Sequence, residues 1–166
     1  MQVFLLCEQL GKNNLWYYHI VGGDDVEKIP AKIRIHTRQT LEDGTTHTFT
    51  SSHSGFLYQK QTALYLIYQE QGQDESDRIQ TTWKLETAQA SLIRQGATEL
   101  RAFFKKGAGD STTLVTPHGH LPVQFETFRL EQNLSPEGGQ LRIGYIMDMA
   151  GSVSRMEVEM HVNTDI

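Results

Sequence analysis

The chain has 166 residues, 38% hydrophobic and 21% charged, with 15 Lys and Arg against 20 Asp and Glu for a net charge of −5. That length and apolar fraction suit one globular domain with a sizeable core. The acidic excess argues against broad binding to nucleic acid or anionic membrane, and the lone Cys7 excludes an intrachain disulfide and fits a reducing cytoplasm.

In chain order, Met1–Glu8 is apolar but short, lacks a basic leading region and is interrupted by Glu8, so no signal peptide or membrane span is expected. Two β-prone runs, 3–9 and 15–21, flank Gly11-Lys12-Asn13-Asn14 and predict a small hairpin. Cys7 falls in it and reads as a small core residue. Residues 22–30 read as a linker, so 1–30 are set apart from a main unit over 31–166.

Lys32 to Gln39 alternates, with Ile33, Ile35 and Thr37 on one face and Lys32, Arg34, His36 and Arg38 on the other, a solvated basic row. Glu42-Asp43-Gly44 turns into a strand over 45–52, and the hydroxyl-rich Ser51–Gly55 reads as turn chemistry rather than a nucleophile elbow. Phe56–Lys60 turns at Gln61-Thr62 into Ala63–Glu70, pairing Tyr58 with Tyr65 and Leu57 with Leu66. Both faces of that hairpin are apolar and are expected to be buried. After a polar loop, 78–86 and 89–95 pair about Thr87-Ala88, which sets Trp83 opposite Leu92 and Thr81 opposite Arg94. A turn at Gly96-Ala97 predicts Arg94 opposite Glu99 and Leu92 opposite Arg101.

Residues 111–116 form a short strand, broken at Pro117-His118-Gly119. The long run 121–134 changes apolar parity between Phe125 and Phe128, which predicts a β-bulge or bend. In the last forty residues Leu141, Ile143, Tyr145 and Met147 alternate with polar positions, as do Met156, Val158, Met160 and Val162. Folding at Ala150-Gly151 pairs Tyr145 with Met156, Ile143 with Val158 and Arg142 with Glu159. A one-residue slip would turn every apolar side chain outward, so the register is strongly specified.

Helical periodicity is missing except for a short helix allowed at 24–30 or 86–91. Eight to ten strands in sequence order predict an all-β antiparallel meander that closes into a barrel to remove its edges.

Gly55-Phe56-Leu57-Tyr58, Ala63–Glu70, Ile93-Arg94-Gln95-Gly96, Thr116-Pro117-His118-Gly119 and Leu141–Tyr145 together resemble, in order and spacing, the YwiB-like bacterial family, domain of unknown function 1934. The resemblance implies a calycin, lipocalin-like barrel in the bacterial cytoplasm and no established activity. The Gly-x-Trp signature of true lipocalins is absent, because Thr81-Thr82 precede Trp83. Fold kinship alone does not carry ligand biology.

The candidate ligand-binding residues are Arg94, Trp83, Arg101, Tyr58, Tyr65 and Tyr145. Arg94 and Arg101 either face the interior, where a guanidinium meets an anionic group, or lie outside, where Arg94 stacks on Trp83 and pairs with Glu99. His118 and His120 at i and i+2 lack an evident third ligand (Glu126 and His161 are the candidates), so neither metal nor cofactor is expected. Glu157 and Glu159 read as a solvated row, and no catalytic constellation is legible. Two functions follow as expectations: non-catalytic binding of a small, partly apolar or anionic ligand in the barrel, or an interaction module or homodimer built on Leu15, Trp16, Tyr17 and Tyr18 of the first hairpin.

Overall fold

The computed structural model describes residues 26–72 and 74–165. The hairpin expected over 3–21 and Cys7 lie outside the described residues. Ten strands follow in order: β1 Ile29–Leu41, β2 Thr46–Lys60, β3 Ala63–Glu70, β4 Ile79–Leu85, β5 Ala90–Gly96, β6 Leu100–Phe104, β7 Gly109–Thr116, β8 Gly119–Ser135, β9 Gly138–Met149 and β10 Ser152–Asn163. They make one antiparallel sheet in the order β6-β5-β4-β3-β2-β1-β10-β9-β8-β7. A single bridge joins the two ends, Glu99 and Val115 exchanging N–H···O bonds of 2.9 Å. The result is a nearly closed all-β barrel, as the alternation in the sequence predicts.

The C-terminal hairpin pairs as read: Tyr145 with Met156, Ile143 with Val158, Leu141 with Met160 and Arg142 with Glu159. The β2–β3 hairpin likewise sets Tyr58 opposite Tyr65 and Leu57 opposite Leu66. The predicted bulge lies between Thr127 and Arg129, where the β8–β9 register shifts. It turns Phe128 onto Gly144, where an added Cβ would collide with the ring, and the Arg155 guanidinium covers Phe128 from 4.0 Å.

Several expectations are corrected. Residues 29 and 30 belong to β1 rather than a linker or helix. Pro30 is tolerated because β1 pairs with β10 only from Lys32 onward, so its missing N–H breaks no ladder on that side. Residues 86–89 form a tight turn closed by the Glu86 N–H to the Gln89 carbonyl at 2.9 Å, not a helix. The only helical turn among the described residues is the 3-10 segment Glu75–Asp77.

Ser51–Gly55 is no turn either. It runs inside the 15-residue strand β2. Gly55 is needed there, because a side chain would strike the Ile67 carbonyl and Tyr68 on the next strand. The β5–β6 register is one residue off the expected one: Arg94 pairs with Leu100 and Leu92 with Ala102. After Gly96 the chain bonds to the residue just before β4, the Ala97 N–H donating to the Arg78 carbonyl at 3.1 Å. The turn into β6 is therefore longer than two residues. Arg101 then pairs with Ile93 and leaves the face that carries Arg94.

Inward positions divide into two parts. One is filled by rings: Phe104 lies 5.0 Å from Tyr145, 5.6 Å from Phe125 and 6.0 Å from Trp83 between centroids. Leu57, Leu66, Leu85, Ile33, Leu141, Ile143 and Met160 pack around them, all essentially solvent-free. The other part is the cavity described next.

Candidate functional site: a polar cavity beside the ring cluster

Beyond Trp83 the interior is not filled. A cavity of about 220 Å³ opens to solvent, walled by alternate residues of six strands. β1 supplies Ile35 and Thr37, β2 Ser51 and His53, β3 Tyr68 and Glu70, β4 Thr81 and Trp83, β5 Leu92 and Arg94, and β10 Val158 and Met160. All are inward positions of the period-two alternation. An engineered dry cavity of roughly 150 Å³ holds benzene. This one therefore has room for one ring with a short polar substituent.

The polar chemistry centres on Arg94. Its Nη2 donates to Glu70 Oε2 at 2.7 Å, and both side chains are about one-quarter exposed. Thr81 donates its hydroxyl to Glu70 Oε1 at 2.7 Å. Glu70 is thus held at both oxygens, one by a cation. Arg94 Nε is buried and has no hydrogen-bond partner among the described residues. Leaving such a donor unsatisfied costs on the order of 1–3 kcal/mol.

The walls are aromatic and hydroxylic. Trp83 Nε1 donates to the Tyr68 hydroxyl at 3.3 Å. Burial pushes the Tyr68 phenol up to about 12, only partly offset by the Trp83 bond. The His53 ring stacks on Tyr68 with centroids 4.8 Å apart, and its Nε2 lies 3.0 Å from Ser51 Oγ. This histidine–serine contact has no acidic partner on the far ring nitrogen among the described residues. It lacks the orienting third group that activates a serine.

The six residues named from the sequence divide sharply. Arg94 and Trp83 line the cavity. Arg94 pairs with Glu70 and not with the expected Glu99. Tyr145 faces inward but belongs to the ring cluster, where burial pushes its phenol up to about 12 and the Arg94 charge opposes the shift. Tyr58 and Tyr65 stack on each other at 5.0 Å on the outer surface, because their partners Leu57 and Leu66 take the inner one. Arg101 borders a separate groove of about 510 Å³ at the β6–β7 seam, with Gln95, Glu99, Leu100, Thr112, Thr113 and Val115. Arg94 lies on the wall of both spaces. His118 and His120 are exposed, and no group of three or more His, Cys, Asp or Glu side chains suited to a metal occurs among the described residues.

Sequence reading missed Glu70, Thr81, His53 and Ser51 as site residues. The signal was available in the β3–β4 register, where Tyr68 pairs with Thr81 and so stacks Glu70 near Arg94. The long loop between those strands hid the register.

A nearly closed antiparallel meander with a part-filled interior defines a β-barrel protein. The chain belongs to the family described as "Domain of unknown function (DUF1934)", which matches residues 33–161. It is 27% identical over 116 residues, 69% of this chain and 80% of the relative, to the "Uncharacterized beta-barrel protein YwiB" of Bacillus subtilis (strain 168). The crystal structure of the ywiB protein from Bacillus subtilis superposes with a TM-score of 0.71, covering 82% of this chain and 94% of that one at 23% identity. That likeness shows the fold. Among the described residues no helix is long and apolar enough to cross a membrane.

Proposed function

We propose that this barrel is a non-catalytic, calycin-like binder of one small, partly apolar ligand, working in the cytoplasm. The observation that carries the reading is the cavity itself, which sets the Arg94–Glu70 pair beside the apolar surface of Ile35, Trp83, Leu92, Val158 and Met160. A carbonyl-type acceptor on the ligand meets the part-exposed Arg94 guanidinium, while its apolar part lies against Trp83 and Leu92.

The Glu70 carboxylate decides between a neutral and an anionic ligand. It already matches the Arg94 charge at 2.7 Å. A second negative charge about 4–5 Å from Glu70 costs about 3–4 kcal/mol at an effective dielectric of 20, roughly what Arg94 returns. A neutral ligand, or one carrying both charges, avoids that cost. The lone cysteine supports the cytoplasmic placement.

Native mass spectrometry of the full chain, purified from the cell that makes it, tests the reading. An added mass of a small molecule is expected, and Leu92→Trp, which fills the cavity from β5, should abolish it. A bare polypeptide mass in the wild type, with no Trp83 fluorescence response to a fragment library, contradicts the proposal.

A further inference from the structure

Among the described residues the ladder around the barrel opens at two places, and the two are built differently. Between β6 and β7 only the Glu99–Val115 bridge forms. That edge carries Glu99, Arg101 and Asp110, and the Asp110 carboxylate accepts the Phe103 N–H at 2.9 Å. Charged side chains of this kind keep other strands off an edge. The second opening lies on β2. β3 pairs with β2 only from Gly55 to Lys60. The preceding residues, Thr46–Ser54, have β1 on one side and no strand on the other among the described residues. Thr46–Ser52 is exposed at all seven positions.

This edge has none of the usual guards. Thr46-His47-Thr48-Phe49-Thr50-Ser51-Ser52-His53-Ser54 contains no Asp, Glu, Lys, Arg, Pro or Gly, and its register with β1 runs without a bulge. The direction of its free backbone groups is fixed by the turn. The Leu41 N–H donates to the Thr45 carbonyl at 2.8 Å. Antiparallel bonding alternates along a strand, so odd-numbered residues of this stretch bond to β1. The N–H and C=O groups of Thr46, Thr48, Thr50 and Ser52 therefore point to the open side. At the middle of the seven stands Phe49, 56% exposed, with the His47 ring 6.5 Å away on the same face.

We propose that this edge pairs antiparallel with the same edge of a second copy of the chain, about a two-fold axis at Phe49. The argument for a second copy is self-complementarity, which such an axis requires. In this register Thr48 bonds to Thr50 of the partner subunit and Thr46 to its Ser52, so all four open residues on each copy find backbone partners. The side chains match as well. Hydroxyls meet hydroxyls on the outer face, where Thr50 Oγ1 already lies 3.0 Å from His36 Nδ1. Phe49 meets Phe49 on the inner face, at the position where antiparallel side chains approach most closely. No like charges stand opposite each other. The cationic row of β1 does not oppose the pairing, because three strand spacings of about 4.8 Å hold the two rows about 14 Å apart, beyond a screening length of about 8 Å. The pairing also reaches the cavity. His47 of the partner subunit falls opposite Ser51, whose side chain lines the cavity wall.

Size-exclusion chromatography with light scattering on the full chain at about 100 μM, above the micromolar range of weak interfaces, tests this. The expected mass is twice the 18.9 kDa of one chain. Thr48→Pro removes an edge donor and no bond to β1, and it should give the single-chain mass. Phe49→Lys sets like charges across the axis and should do the same. Leu121→Lys, at the other exposed large apolar side chain, should remain a dimer. Circular dichroism checks that each variant keeps its sheet, and a variant that loses it is replaced by hydrogen exchange of the wild type. There the Thr48 and Thr50 amides should exchange at least tenfold more slowly at about 100 μM than at about 1 μM. A wild type of single-chain mass overturns the proposal. So does a dimer that survives both edge variants, or edge amides whose exchange is the same at both concentrations.

Discussion

The two parts of the interior are built from the same strands and obey opposite rules. Around Phe104 every inward position is filled, rings meet at 5.0–6.0 Å, and the surrounding aliphatic side chains are essentially solvent-free. Past Trp83 the same alternation delivers Ser51, His53, Glu70, Thr81 and Arg94 to a space that is not filled. The packed part contributes stability through buried apolar area and ring contacts. The polar part spends some of it on a held carboxylate and an unsatisfied guanidinium nitrogen.

The largest effect should come from the packed part. Phe104→Ala leaves a void among Trp83, Phe125 and Tyr145 and should lower stability by about 3–5 kcal/mol in urea unfolding. A loss under 1 kcal/mol would show that the ring cluster is not the core.

Next is alkaline pH. The Tyr68 phenol is raised to about 12 by burial from an ordinary value of 10.0. A group raised in the folded state keeps its full contribution below the unfolded value and loses it as pH climbs through the folded one. Stability should therefore be level to about pH 10 and fall between 10 and 12, by roughly 3 kcal/mol from Tyr68. Tyr145 adds in the same direction. Thermal melts of the wild type and Tyr68→Phe across that range should differ in slope, and parallel curves would remove Tyr68 as the cause.

Smaller still, Glu70→Gln leaves Arg94 without its counter-charge in a part-buried site. It should cost about 1–3 kcal/mol, less than for a fully buried pair because both groups retain solvent contact. Arg94→Met added to Glu70→Gln should recover part of that loss, since no lone charge then remains. A double variant less stable than Glu70→Gln alone would deny the coupling. On the outer surface, where Arg142 meets Glu159 at 3.5 Å, Arg142→Ala should change stability by under about 0.5 kcal/mol, screened by salt.

The fold was legible wherever pairing is local. Tyr145–Met156, Tyr58–Tyr65 and Trp83–Leu92 follow from a two- to four-residue turn and period-two alternation, and the parity change at Phe125–Phe128 located the bulge. Reading failed where a third strand intervenes. Ala97 bonds to Arg78 before the chain enters β6, and this contact between remote residues moved Arg101 to the outer surface. Ser51–Gly55 has the composition of a turn, yet its pairing with Ala31–Ile35 on one side holds it extended. The site was half legible. Arg94 and Trp83 were evident from one hairpin, whereas Glu70 and Tyr68 join them only across a loop whose length carries no register.

The most direct test observes the Arg94 guanidinium itself. Proton–nitrogen NMR of arginine-labelled full chain, taken as purified from its own cell and again after unfolding and refolding to strip bound molecules, should show that signal assigned by Arg94→Lys. The account predicts an Arg94 guanidinium signal in the first sample that shifts and exchanges faster with water in the second. An identical signal in both, exchanging at the rate of an exposed arginine, would contradict it.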